Sequence, residues 1–156
     1  MEVLRQHIVS LLRGGSAHAT LAQALDGLSF AVAGLKPPNA AQSPWQLLEH
    51  IRIAQSDILE FTRDPRHVSP EFPAGYWPAR SAPDSSAALQ NSLRRTRADH
   101  AAFIQMIADP GRDLLAPLPH DPAKTVLREA LMLADHNAYH LGQLVLVRRA
   151  LGNWPG

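Results

Sequence analysis

The chain has no cysteine, which excludes a disulfide staple, a catalytic thiol and a thiolate-held metal together. It also lacks an excess of charge. Its 15 Lys and Arg stand against 14 Asp and Glu, a formal net charge of +1, so no electrostatic case exists for nucleic acid or an anionic membrane as partner. The densest basic group, Arg94, Arg95 and Arg97, reads as a solvated helix face. No window approaches the ~20 apolar residues that cross a bilayer. Met1-Glu2-Val3-Leu4-Arg5 lacks the apolar run of a signal peptide, and the expected location is cytoplasmic.

What is present suits one soluble domain. The 156 residues, 46 % apolar and 19 % charged, are enough for a single domain over 1–156 with a real hydrophobic core. Val3, Leu4, Ile8, Leu11 and Leu12 form an amphipathic stripe that predicts a helix over Glu2 to Arg13, broken at Gly14-Gly15. Thr20-Leu21-Ala22-Gln23 has capping-box spacing and restarts a helix to about Gly27, giving one long broken element or two short ones. Ser43-Pro44-Trp45-Gln46 opens the next helix, with Leu47, Ile51, Ala54, Ile58 and Phe61 as its inner seam, and Asp64-Pro65 ends it.

From Pro65 to Pro83 proline is too dense for helix or sheet, so a long connection is expected, with Trp77 lying over the bundle as packing or as a pocket lid. A third helix is predicted over Asp84 to about Ala108, with Leu89, Leu93, Phe103, Ile104 and Ile107 inward, and a fourth from near Pro122 to Leu151. The whole reads as an all-α four-helix bundle.

Without cysteine a metal must be held by nitrogen or oxygen, and eight histidines form the pool. His136 and His140 lie one turn apart on the apolar face of the fourth helix, with Leu133, Leu144 and Val147 around them, so both imidazoles can reach one ion. That pair needs a third ligand. His50, at the edge of the second helix's seam, and His100, on the inward stripe of the third, are equal candidates by position. His120, just before the fourth helix, lies about 24 Å by helix rise from His136, too far to share its metal, and His7 reads as structural. Glu-x-x-His and His-Glu-x-x-His are both absent, which rejects a ferritin-like di-iron bundle and a zinc protease.

The chain resembles the DinB-like (DinB/YfiT-type) family of four-helix-bundle metalloproteins over nearly its whole length. The resemblance is carried by Ser43-Pro44-Trp45-Gln46-Leu47-Leu48-Glu49-His50 in the second helix. In the fourth it is carried by His136-Asn137-Ala138-Tyr139-His140-Leu141-Gly142-Gln143-Leu144 and Arg148-Arg149-Ala150-Leu151-Gly152. It implies a metal held by His50, His136 and His140, choosing His50 over His100. It also implies thiol-dependent S-transfer with low-molecular-weight thiols such as bacillithiol, or related isomerase chemistry, for members of known activity, and a homodimer.

Three neutral imidazoles leave a divalent ion with open positions, as in catalytic sites, and water held so can reach a pKa of about 7. Zinc or nickel is expected first, with iron or manganese also acceptable to imidazole. The reading is therefore a metal-dependent transferase or hydrolase acting on a small molecule, with a low-molecular-weight thiol as partner. Its rival is a non-catalytic, stress-related bundle that binds a metal or ligand. No residue qualifies as general base: Glu49 points about 100 degrees away from His50, and Asp57 lies two turns from it. Asp57, Trp77, His100, Asp135, Tyr139 and Gln143 are the expected pocket or supporting residues. Gly142, costly inside a helix, suggests the close approach of another element.

Overall fold

The computed structural model describes residues 1–155. Its helices are α1 (Glu2–Arg13), α2 (Leu21–Leu25), α3 (Phe30–Ala33), α4 (Pro44–Arg63), α5 (Ser86–Ala108) and α6 (Val126–Ala150); an antiparallel hairpin of β1 (Pro117–Leu118) and β2 (Asp121–Thr125) precedes α6. The four longer helices make the bundle. α4 packs on α5 and α6, and α1 closes the other side against the same two.

Local chemistry explains most boundaries. Ser43 and Thr20 each form a complete capping box, with Gln46 and Gln23 respectively, and α4 carries proline in its first turn. The α1–α2 break is a true one, giving two short elements. Gly14 and Gly15 both adopt positive φ, a region that costs other residues a clash with their own Cβ.

Several boundaries differ from expectation. α6 begins at Val126 rather than near Pro122, because Asp121–Thr125 pairs as a strand and the Thr125 hydroxyl accepts from the Arg128 amide as N-cap. α5 begins at Ser86, capped by Ser85. The short α3 has no counterpart in the sequence reading. In α1, Val3 and Leu11 face solvent, while Arg5 is buried with Ile8, Val9 and Leu12. The Arg5 guanidinium turns the helix by donating to the carbonyls of Ile107 and Arg112, at 2.5 and 2.7 Å. Gly142 is no contact point either: a Cβ there would meet nothing within 4 Å.

The core is in two parts. One cluster joins Leu25, Leu47, Leu48, Ile51, Leu89 and Leu144; the other joins Ile8, Leu59, Phe103, Ile107, Leu114 and Leu133. Between them α4 and α6 meet across a polar layer, in which Asn137 Nδ2 donates to Gln55 Oε1 at 3.1 Å and Gln55 Nε2 donates to the Thr96 carbonyl at 2.6 Å. A buried amide that finds its partner fixes register, since any slip would leave it unpaired at a cost of about 1–3 kcal/mol. This layer aligns His50 with His136 and His140.

Candidate metal centre

His50, on α4, and His136 and His140, one turn apart on α6, present ligand atoms within 4.8 Å of one another. His50 Nε2 lies 3.0 Å from His140 Nε2 and 3.0 Å from His136 Nε2. The outward nitrogens of two rings are committed: His50 Nδ1 donates to the Tyr76 carbonyl at 2.8 Å, and His140 Nδ1 donates to Gln143 Oε1 at 2.7 Å. A carbonyl only accepts, so those two rings carry their proton on Nδ1 and turn a lone pair inward. Only His136 has a proton to offer. One of the two 3.0 Å contacts therefore sets lone pair against lone pair. A cation with nitrogen bonds of about 2.1 Å removes that conflict and accepts all three donors, so the residues present fit a divalent metal.

The long connection between α4 and α5 folds back over this point. Trp77 stacks on His50, with ring centroids 3.9 Å apart and planes inclined by 3°. Tyr76 donates its hydroxyl to Asp57 Oδ2 at 2.6 Å, and Asp57 Oδ1 accepts from His67 Nε2 at 2.8 Å. One tyrosine thus orients His50 through its carbonyl and anchors the connection to α4 through its side chain. Beside the histidines opens a cavity of about 550 Å³, walled by α4, α6 and the connection.

The model of the DinB superfamily matches residues 16–144. The chain belongs to the DinB superfamily. No curated protein and no solved structure matches it.

Within this DinB-superfamily bundle the expected supporting residues divide. Gln143 touches His140, Trp77 covers His50, and Asp57 lines the cavity with both oxygens engaged by Tyr76 and His67. Asp135 and Tyr139 are exposed, although the Tyr139 ring meets His140 edge-on at 4.8 Å. His100 is elsewhere: it lines a small recess with Leu12 and His18 against α1, outside the cavity.

Sequence reasoning missed Tyr76 and Glu129. Tyr76 sits in a stretch without periodicity and gave no signal. Glu129 was visible, since it falls on the same α6 stripe as Leu133, His136 and His140; it is 3 % exposed, lines the cavity and accepts from Arg128 Nη1 at 2.7 Å.

Burial lowers the pKa of His50 and His140, and burial, then the neighbouring His140 and His50, pushes His136 down to about 4. Protons and metal compete for the same nitrogens, so a low ligand pKa extends metal retention to lower pH. In the metal-free protein the folded state binds fewer protons than the unfolded state between the unfolded value of 6.5 and about 4, so stability is full above that window and falls as pH drops through it. We expect bound zinc to survive at pH 6 and to leave as pH approaches 4, measured by metal content after dialysis at each pH. Loss complete by pH 6 would contradict ligation by these buried rings.

Proposed function

We propose that this DinB-superfamily protein is a divalent-metal-dependent enzyme acting on a small molecule, in which a thiol sulfur displaces a leaving group or water hydrolyses a bond. The observation that carries the reading is the unprotonated contact between His50 and His140 Nε2, 3.0 Å apart beside an open cavity. Among the described residues no carboxylate joins the cluster of three histidines, a donor set that leaves positions for a substrate rather than closing the site. A divalent ion held there, zinc or nickel first, supplies Lewis acidity that eases loss of a proton from water or thiol.

The protein's own groups do the rest. Tyr76 and Gln143 hold two imidazoles in the ligating tautomer, Trp77 screens His50 from solvent, and the apolar wall formed by Ile58, Phe61 and Met132 excludes water from the substrate. The exposed Tyr139 and Leu146 on the outer face of α6 support a second copy of the chain as partner.

A second reading, a non-catalytic ligand-binding bundle, is favoured by one observation. Asp57 already serves Tyr76 and His67, and Glu129 lies seven residues from His136, about 10 Å along α6, so among the described residues no free base adjoins the triad. Zinc- or nickel-loaded protein, given a low-molecular-weight thiol and an alkyl halide or epoxide, is expected to consume thiol in proportion to bound metal. Tight thiol binding without turnover on any such electrophile would replace the enzyme reading with the second one.

A further inference from the structure

We propose that the cavity takes an elongated molecule with a donor head at the triad, an apolar middle, and an anionic end, a carboxylate above all, received by Arg128 and Lys124. The inference rests on the metal reading of the triad and adds the substrate class.

The two helices that wall the cavity run antiparallel, as the pairings of His50 with His140 and of Gln55 with Asn137 require. Down α4 the lining passes from His50 through Ala54 and Ile58 to Phe61; down α6, in the opposite chain direction, it passes from His136 through Met132 to Arg128. Eight residues from His136 to Arg128 and eleven from His50 to Phe61 correspond to about 12 and 16 Å of helix rise. The two estimates meet at the same place, because Lys124 Nζ lies 4.4 Å over the Phe61 ring. The triad and the two cations are thus opposite ends of one groove.

The cations have donors to spare. Arg128, with a side chain 44 % exposed, gives Nη1 to Glu129, and a guanidinium carries five N–H donors. Lys124 meets Asp121 at 2.9 Å, a carboxylate outside the cavity lining, and an ammonium keeps two further protons. The two carboxylates that do line the cavity are engaged: Asp57 by Tyr76 and His67, and Glu129 by Arg128. A ligand anion therefore meets unspent donors on Arg128, in the first turn of α6, and on Lys124, in β2 just before it, and the helix dipole adds to the attraction at Arg128. Between the ends, Ile58, Phe61 and Met132 offer no polar partner, and Phe72 on the connection, 84 % exposed, gains cover from an apolar ligand body.

The test uses zinc-loaded protein, its metal content measured first, and calorimetric titration with ω-mercapto acids of increasing length against their primary amides. Mercaptooctanoic acid is expected to bind on the order of tenfold tighter than its amide, as a charge-assisted hydrogen bond provides. Mercaptopropanoic acid, too short to span the groove, is expected to show no such preference. Arg128→Gln and, separately, Lys124→Ala are each expected to reduce the preference of the long acid, and the double variant to erase it, with zinc content unchanged. Equal affinity for acid and amide at every length, with zinc in place, would overturn the anionic end alone. Failure of the protein to take up zinc would overturn the metal reading beneath it.

Discussion

Replacing His136 with alanine is expected to weaken zinc binding by at least ~10²-fold, since one of three ligands carries roughly a third of a binding free energy on the order of 10 kcal/mol. His50→Ala and His140→Ala are expected to match it. The informative comparison is graded. Gln143→Ala leaves His140 Nε2 in place but frees the ring, whose Nδ1 now lies 2.7 Å from Gln143 Oε1; loss of such an orienting partner costs about 10–100-fold in metal affinity. His100→Ala is expected to change nothing, because that ring lines a separate recess against α1. Measured by competition with a chromophoric chelator, the order His136 before Gln143 before His100 tests the geometry and not merely the presence of histidine. Equal losses for His136→Ala and His100→Ala would mean that general destabilisation is being read. The apo-protein melting temperature separates the cases, since removing one of three crowded inward ring nitrogens is expected to leave it nearly unchanged.

The parts of this site that were legible in the sequence are those governed by local chemistry. Both capping boxes form, the α4 seam buries Leu47, Ile51, Ala54 and Ile58, and the spacing of His136 and His140 places their rings together. What periodicity could not reach depends on partners remote in sequence. His50 and His100 sit equivalently on their own helices, and only the packing of α4 against α6, latched by Gln55 and Asn137, decides which one meets the pair. Residue patterning alone left that choice open; the family resemblance made it. Arg5 turns inward because carbonyls at the end of α5 and beyond it await its guanidinium, a gain invisible to a hydropathy stripe that favoured Val3 and Leu11. Asp121–Thr125 pairs as a strand only because Pro117–Leu118 lies beside it. Tyr76 matters through its backbone oxygen, which no side-chain pattern encodes.

Arg148→Ala is expected to destabilise the protein by roughly 3–5 kcal/mol, the upper range for point substitutions. Arg148 is fully buried near the end of α6, and burial lowers its pKa, yet a guanidinium stays charged at neutral pH. No carboxylate pairs with it at salt-bridge distance among the described residues. An unpaired buried charge argues that removal should be cheap, as when apolar residues replace buried ion pairs without loss.

The acceptors decide otherwise. Nη1 donates to the Ala24 carbonyl at 2.8 Å near the end of α2, Nε donates to Asn153 Oδ1 at 3.0 Å, and the guanidinium lies 5.4 Å from the Trp154 ring centroid. Alanine leaves both oxygens without this donor, at about 1–3 kcal/mol for each that stays buried, and adds a cavity larger than a leucine's. The carbonyl end of α2 supplies the negative partial charge that a carboxylate would otherwise provide. Arg148→Met, which keeps much of the volume but no donor, separates the two contributions and is expected to cost about half as much. Urea unfolding of the metal-free proteins measures both. A loss below ~1 kcal/mol in the alanine variant would show that water replaces the guanidinium and that the α2–α6 junction does not depend on it. Zinc affinity of the folded variant is expected to stay at the parent value, because Arg148 lies two turns beyond His140, about 12 Å along the helix.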